Sequence, residues 1–145
     1  MPTDTDADGE LVLLDTSVAV AVIVEDHELH AAALKVVQGR RLGLSGHAWF
    51  ETYSVLTRLP GTNRRSPADA RRLLAHNFAA SAFLGEDESL ALGAEIARLG
   101  VSGGAVYDAL VGAAARQHRR RLVSADSRAQ PVYETLGVEL HVIRR

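Results

Sequence analysis

Four acids stand where a carboxylate can do chemistry rather than merely face water. Asp15 directly follows the apolar run Leu11–Leu14, and Asp126 follows Arg121–Ser124, a second run that reads as strand. Ligands of open α/β sheets bind beyond the carboxyl ends of the strands, which is where both acids fall. Each also has a structural role open to it, Asp15 as a helix cap and Asp126 in an Asx turn. Glu51 lies near the start of the helical stretch His47–Arg58. Trp49, Tyr53 and Leu56 share one face there, and Glu51 points about 160° away from Tyr53, alongside His47 and Arg58. Ser54 and Val55 stand three and four residues on, so Glu51 has no helical ion-pair partner; the alternative is a solvated glutamate. Asp108 sits among Tyr107, Ala109, Leu110 and Val111 in an alanine-rich helix, where aspartate is a poor interior residue. Gly112 and Arg116 follow one and two turns on. A glycine beside an acid leaves room for a metal or phosphate, with an arginine beyond it. The alternative is an exposed aspartate on a wet face.

Unaided, four carboxylates resist convergence, since two like charges 4 Å apart cost roughly 4 kcal/mol at an effective dielectric near 20. A cluster of them is stable only when protons or cations neutralise it. Oxygen ligands without cysteine or a paired-histidine motif suit magnesium, or manganese in its place, rather than zinc. Magnesium held by carboxylates near a phosphodiester activates water and neutralises the charge developing during in-line displacement.

The elements that must position these acids are legible in outline. Strand candidates are Leu11–Leu14, Leu42–Ser45, Arg121–Ser124 and Val138–Ile143. Between them lie helical stretches at Ser17–Val24, His27–Gln38, His47–Arg58, Glu88–Leu99, Gly104–His118 and Pro131–Leu136, and one opened by Ser66-Pro67-Ala68-Asp69. Strands alternating with helices predict a single α/β domain over residues 11–145, with a central parallel sheet of about four to five short strands flanked by helices on both faces. Residues 1–10 read as a flexible acidic tail, unlike a signal peptide, and no apolar run approaches the roughly 18 residues that cross a bilayer. The absence of cysteine removes disulfides and thiolate chemistry and fits a reducing, cytoplasmic setting.

The 145 residues carry 16 basic and 18 acidic side chains, a net charge of −2 that by itself speaks against a nucleic-acid ligand. Setting aside the tail acids Asp4, Asp6, Asp8 and Glu10, and the four acids above, leaves a mildly basic body. Lys35 is the only lysine, and the arginines cluster at Arg64-Arg65, Arg71-Arg72, Arg119–Arg121 and Arg144-Arg145. Arg116 is the first candidate for a contact near a scissile phosphate, with Arg64, Arg65 and Arg128 behind it. A solvated face is the alternative for each cluster.

Four segments carry a family resemblance: Leu13-Leu14-Asp15-Thr16-Ser17, Glu51-Thr52-Tyr53, Gly103-Gly104-Ala105-Val106-Tyr107-Asp108-Ala109-Leu110 and Val123-Ser124-Ala125-Asp126. In order and spacing they resemble the acidic motifs of PIN-domain ribonucleases, and among these the VapC-type toxins of bacterial type II toxin–antitoxin pairs. The resemblance implies a magnesium-dependent endoribonuclease that hydrolyses RNA phosphodiester bonds through metal-activated water. It implies that Asp15, Glu51, Asp108 and Asp126 hold the metal and that Thr16 and Ser124 support the network around it. It also implies a cognate antitoxin covering the acidic groove, and a toxin homodimer. Ser124 stands where the family often has threonine, and Arg119–Arg121 is more basic than the usual turn.

Other readings fit less of the chain. Asp4-Thr5-Asp6-Ala7-Asp8-Gly9 matches the first half of an EF-hand loop, with position twelve on Asp15, but no room exists for an entering helix. A metal-dependent phosphatase of the haloacid-dehalogenase type needs a second acid where Ser17 stands, and a receiver domain needs a late lysine that is missing. No Gly-rich phosphate loop follows the first strand. A non-catalytic RNA- or protein-binding domain of the same fold remains the rival of a different class.

Overall fold

The computed structural model describes residues 9–144, and its architecture grows outward from Leu11–Leu14, which forms β1. All three of Val12, Leu13 and Leu14 are inaccessible to solvent. A strand buried on both faces reads as a continuous apolar run, which is what this segment is. On one side β1 pairs in parallel with β2 (Arg41–Leu44), Leu14 opposite Leu44. On the other it pairs with β3 (Leu122–Ser124), Leu14 opposite Val123, and β3 pairs with β4 (Leu140–Val142). The four-stranded parallel sheet runs in the order β2-β1-β3-β4.

Seven α-helices among the described residues cover both faces, so the α/β architecture expected from the sequence is the one found. They are α1 (Thr16–Ile23), α2 (His30–Val37), α3 (Ala48–Thr57), α4 (Pro67–Asn77), α5 (Glu86–Leu99), α6 (Ala105–Gln117) and α7 (Gln130–Thr135). The pleat divides the core in two. Val12, Leu14 and Val123 pack with α1, α2 and α4, whereas Leu13 and Leu122 pack with α5, α6 and α7. In α3, Ala48 belongs to the second layer and Leu56 to the first.

Local signals explain most element ends. Ser66 caps α4 by accepting the Asp69 N–H at 3.1 Å, with Pro67 at the first helical position. Helix α2 starts three residues later than its pattern suggests, because the His27 ring takes the Leu29 N–H at 3.0 Å in a local turn. The segment after α4 runs along the outer edge of β2, Ala80 and Ala82 donating to the carbonyls of Leu42 and Leu44. It approaches so closely that a Cβ on Gly43 would lie 2.2 Å from the Ala80 carbonyl oxygen. The edge is thereby closed to further pairing.

Of the expected acidic tail, Asp4, Asp6 and Asp8 lie outside the described residues, as does the EF-hand-like stretch they belong to. Glu10 is tied to the body: its carboxylate pairs with Arg40 and, at 3.5 Å, with Arg121. No helix among the described residues is long and apolar enough to cross a membrane.

Candidate functional site

Strand order reverses between β1 and β3, and a cleft opens at the carboxyl ends of strands on either side of such a point. Asp15 leaves β1 there, and Asp126 stands two residues beyond β3. Helices α1, α3 and α6 begin at the same edge. Glu51 lies in the first turn of α3 and Asp108 in the first turn of α6. Asp108 is therefore not in a helix interior as its alanine-rich context suggested. At a helix N-terminus the backbone dipole favours its charge.

Asp15 is 3% exposed and is held by three donors. Its Oδ1 accepts the Ser17 hydroxyl at 2.5 Å and the Val18 N–H at 3.4 Å, making it the N-cap of α1. Its Oδ2 accepts the Tyr133 hydroxyl at 3.0 Å. Ser17 is fixed in turn by the Ala125 N–H, which donates to its hydroxyl at 2.9 Å and so joins the first acidic motif to the last. Asp126 closes an Asx turn, its Oδ1 accepting the Arg128 N–H at 2.9 Å, while its own N–H donates to the Ser124 hydroxyl at 3.1 Å. Thr16 sits between α1 and α3, receiving the Thr52 hydroxyl at 3.2 Å.

Charge ties the four acids together. Burial, foremost, pushes the Asp15 carboxyl above the usual aspartate range, against the lowering effect of Ser124, Ser17, Tyr133 and the Val18 N–H. Burial raises Glu51 too; His47 opposes it, and the charges of Asp108, Asp15 and Asp126 add to it. Asp108 is raised by burial, then by Asp126 and Asp15, with Arg128 opposing. Glu51 and Asp108 thus each feel the negative charge of other acids, offset in part by His47 and Arg128. The four do not form a ready-made cage: among the described residues no three His, Asp or Glu side chains are gathered closely enough to hold a metal ion. The donor set, four carboxylates flanked by the hydroxyls of Thr16 and Ser124, suits a hard divalent cation of the magnesium or manganese kind.

The arginine candidates fare differently. Arg116 lies in the last turn of α6, roughly 12 Å along the helix from Asp108 and toward the amino ends of the strands. Its guanidinium grips Glu95 bidentately at 2.7 and 2.9 Å and donates to the Leu136 carbonyl at 2.9 Å. Helical spacing put it on Asp108's side of the helix but could not show that two turns carry it to the opposite edge of the sheet. Arg64 and Arg65 donate to the Leu59 and Asn63 carbonyls, in the loop after α3. Arg128 is the candidate beside the acids, 91% exposed and 3.8 Å from Asp126. Gly112 does not leave room for a ligand. A Cβ there would lie 2.9 Å from the Tyr133 ring, so the glycine accommodates Tyr133, 1% exposed, beneath Asp15.

Tyr133 is the site residue that sequence reasoning missed. It stands 118 residues from Asp15 in a short helix and reads locally as core; only the fold shows its hydroxyl facing an acid. Aromatic side chains also border the two helix-borne acids. Tyr107 stacks on His47 with ring centres 5.1 Å apart, and Phe50, next to Glu51, is 58% exposed.

Residues 12–134 match the PIN domain family. The chain is 47% identical over 130 residues to Ribonuclease VapC27 of Mycobacterium tuberculosis, covering 90% of this chain and 93% of that protein. It is 40% identical over 135 residues to Ribonuclease VapC40 of the same species, covering 92% and 99%. Among solved structures, the crystal structure of VapBC2 from Rickettsia felis bound to a DNA fragment from their promoter superposes with a TM-score of 0.63 over 91% of this chain and 98% of that one. At 12% identity that likeness is one of fold.

Proposed function

The chain belongs to the PIN domain family, and on that premise we propose that it is a divalent-metal-dependent endoribonuclease, the toxin half of a toxin–antitoxin pair. One observation carries the reading. Acids from four separate segments stand at the carboxyl edge of a parallel sheet, near enough that Glu51 is raised by the charges of Asp108, Asp15 and Asp126, and Asp108 by those of Asp126 and Asp15. The relatives named ribonucleases, matched over nine-tenths of the chain, support RNA as the substrate. The VapBC2 complex among the structural neighbours supports an antitoxin as partner, and a toxin homodimer is part of the same proposal.

Asp15, Glu51, Asp108 and Asp126 are the residues that would hold the cation. When bound, it would supply an activated water and neutralise charge building on the phosphate under attack. The chain's own part is preorganisation. Ser17, Tyr133 and the start of α1 hold Asp15 in place and favour its ionised form against burial. Ser124 orients the Asp126 backbone, and the Asx turn fixes that carboxylate. Arg128, exposed beside Asp126, faces the side from which a phosphodiester backbone approaches.

The test is cleavage of labelled RNA by purified protein with magnesium or manganese, beside Asp108→Asn, which keeps the side chain's shape and removes its charge. Cleavage is expected to fall at least 100-fold in the variant, as for loss of a group that stabilises transition-state charge. Wild-type protein that cuts no RNA with either metal, or an Asp108→Asn protein as active as wild type, would overturn the proposal in favour of a non-catalytic binding domain.

A further inference from the structure

We propose that the cavity beside Glu51 is a nucleotide subsite, seating the base and phosphate adjacent to the bond that is cut. The inference deepens the ribonuclease reading and rests on it. The cavity encloses about 360 Å³ and is lined by Thr16, His47, Phe50, Glu51, Ser54 and Arg58. Thr16 and Glu51 make one wall, so an occupant lies directly against the acid cluster.

The remaining walls suit a nucleotide in particular. Phe50 is 58% exposed, an apolar ring left open to water beside a charged site. Trp49 and Phe83 pack against it at tilts of 59° and 55°, bracing the ring while its outer side stays open. Every nucleobase has a face that stacks on such a ring. Arg58 closes the far end of the cavity, two turns and roughly 10 Å along α3 from Glu51. Arg40, Arg72, Arg116, Arg121 and Arg128 each pair with a carboxylate. Among the described residues Arg58 pairs with no carboxylate, and its side chain donates to the Ser54 hydroxyl at 3.4 Å. Its planar fork is left with donors to spare, which matches a phosphate. His47 and Ser54 add polar groups to the lining. An acidic peptide would be repelled by Glu51 and a basic one by Arg58. A nucleotide presents a neutral aromatic plane and an anion in the order the cavity requires.

Both side chains are exposed, so Phe50→Ala, Phe50→Trp, Phe50→Leu and Arg58→Gln can be compared as folded proteins, with thermal melts as the control. The measurement is steady-state cleavage of a single-stranded RNA pool in magnesium, with sequencing of the product ends. Phe50→Ala is expected to raise KM roughly 5- to 100-fold, the range for loss of one stacked base, and to relax base preference at one position beside the cut. Phe50→Trp should restore both, and Phe50→Leu neither. Arg58→Gln should weaken binding uniformly across sequences and lower the salt dependence by about one counterion. Unchanged KM and product ends in Phe50→Ala and Arg58→Gln would overturn the subsite while leaving the ribonuclease reading intact. So would full rescue by Phe50→Leu, or loss of a protein partner's binding with RNA kinetics unaltered. Wild-type protein that cuts no RNA with magnesium or manganese would overturn both together.

Discussion

Changing Tyr133 to Phe removes a single oxygen and tests whether the buried tyrosine serves Asp15. The ring, 1% exposed and packed against Gly112, stays in place. What is lost is the hydroxyl's hydrogen bond to Asp15 Oδ2 at 3.0 Å. A hydrogen bond to an ionised acceptor contributes about 1.5–3 kcal/mol, and one between neutral groups about 0.5–1.5 kcal/mol. Burial raises the Asp15 carboxyl in the folded protein, and the tyrosine is among the donors that pull it back down. A carboxyl raised on folding favours the fold when protonated. Its contribution is complete below the unfolded aspartate value, near 4, and is lost as pH rises through the folded one. Removing the hydroxyl raises the folded value further, so the added cost falls on the ionised state. Metal-free Tyr133→Phe protein should therefore lose about 1.5–3 kcal/mol where Asp15 is ionised and only about 0.5–1.5 kcal/mol where it is protonated, so that the loss grows as pH rises. For a chain of this length the larger figure corresponds to a fall in Tm of roughly 5–12 °C. Urea unfolding of both proteins in EDTA, from pH 8 to pH 4.5, measures the difference; the other acids are common to both and cancel. A destabilisation that stays flat with pH, or grows toward acid, refutes the reasoning.

Three further changes probe the frame around the site. Burial and the charges of Asp126 and Asp15 raise Asp108, so its ionised form is the costly one. Asp108→Asn should accordingly raise the metal-free Tm by a few degrees at pH 8, a gain that shrinks toward pH 4, and should blunt the Tm increase that magnesium or manganese gives the wild type in scanning fluorimetry. Arg116→Ala should cost about 1–2 kcal/mol, allowing for solvent screening of a partly exposed pair, while turnover per folded molecule stays within about twofold of wild type. A tenfold loss of kcat/KM with the fold intact would return Arg116 to the site. Gly112→Ala sets roughly 1–3 kcal/mol of overpacking against Tyr133 and Val138 against about 1 kcal/mol gained in helix propensity. It should destabilise by about 1 kcal/mol and, by displacing the ring beneath Asp15, reduce cleavage; a stabilised, fully active variant would show that the ring has room to move.

Much of the frame was legible because its determinants are local. Leu11–Leu14 is apolar throughout because both its faces are covered, and Gly100 closes α5 in the left-handed conformation, φ 74°, as its place after the last periodic residue suggests. The acids were legible as individuals: Asp15 and Asp126 follow strand-like runs, Glu51 has no helical ion-pair partner, and Asp108 is a poor helix former among apolar neighbours, although the sequence does not show its place in a first turn. The long-range pairings were not. Helical phase set Arg116 on the same side as Asp108, yet phase says nothing of distance along the axis. A partner twenty-one residues earlier, Glu95, decides what that arginine does. Gly112 read as space because a sequence shows the missing side chain and not the ring that fills the gap. The edge segment Ala79–Ala82 bonds to β2 mainly through its backbone, with the Ser81 hydroxyl accepting the Leu44 N–H, and apolar periodicity carries little trace of it.

For Asp15 and Asp126, the cap and turn roles and the proposed catalytic role do not compete. The Val18 N–H that makes Asp15 a helix cap and the turn that engages Asp126 each fix a carboxylate in place, and at Asp15 those donors also favour the ionised form against burial. A cation requires both properties, a known position and a negative charge. Glu51 and Asp108 differ: among the described residues neither carboxylate accepts a hydrogen bond, and both stand in first helical turns, half-buried. The site thus divides into two acids anchored at strand ends and two held only by their helices. The anchored pair sets where charge is concentrated. The other pair keeps its lone pairs unspent and its rotamers free, and these are the side chains able to adjust when the repulsion is neutralised. Had all four been hydrogen-bonded into the fold, the cluster would be stable and inert. Had none been, nothing would oppose the burial that favours a protonated Asp15, and the charge on which the proposed chemistry depends would be weakened.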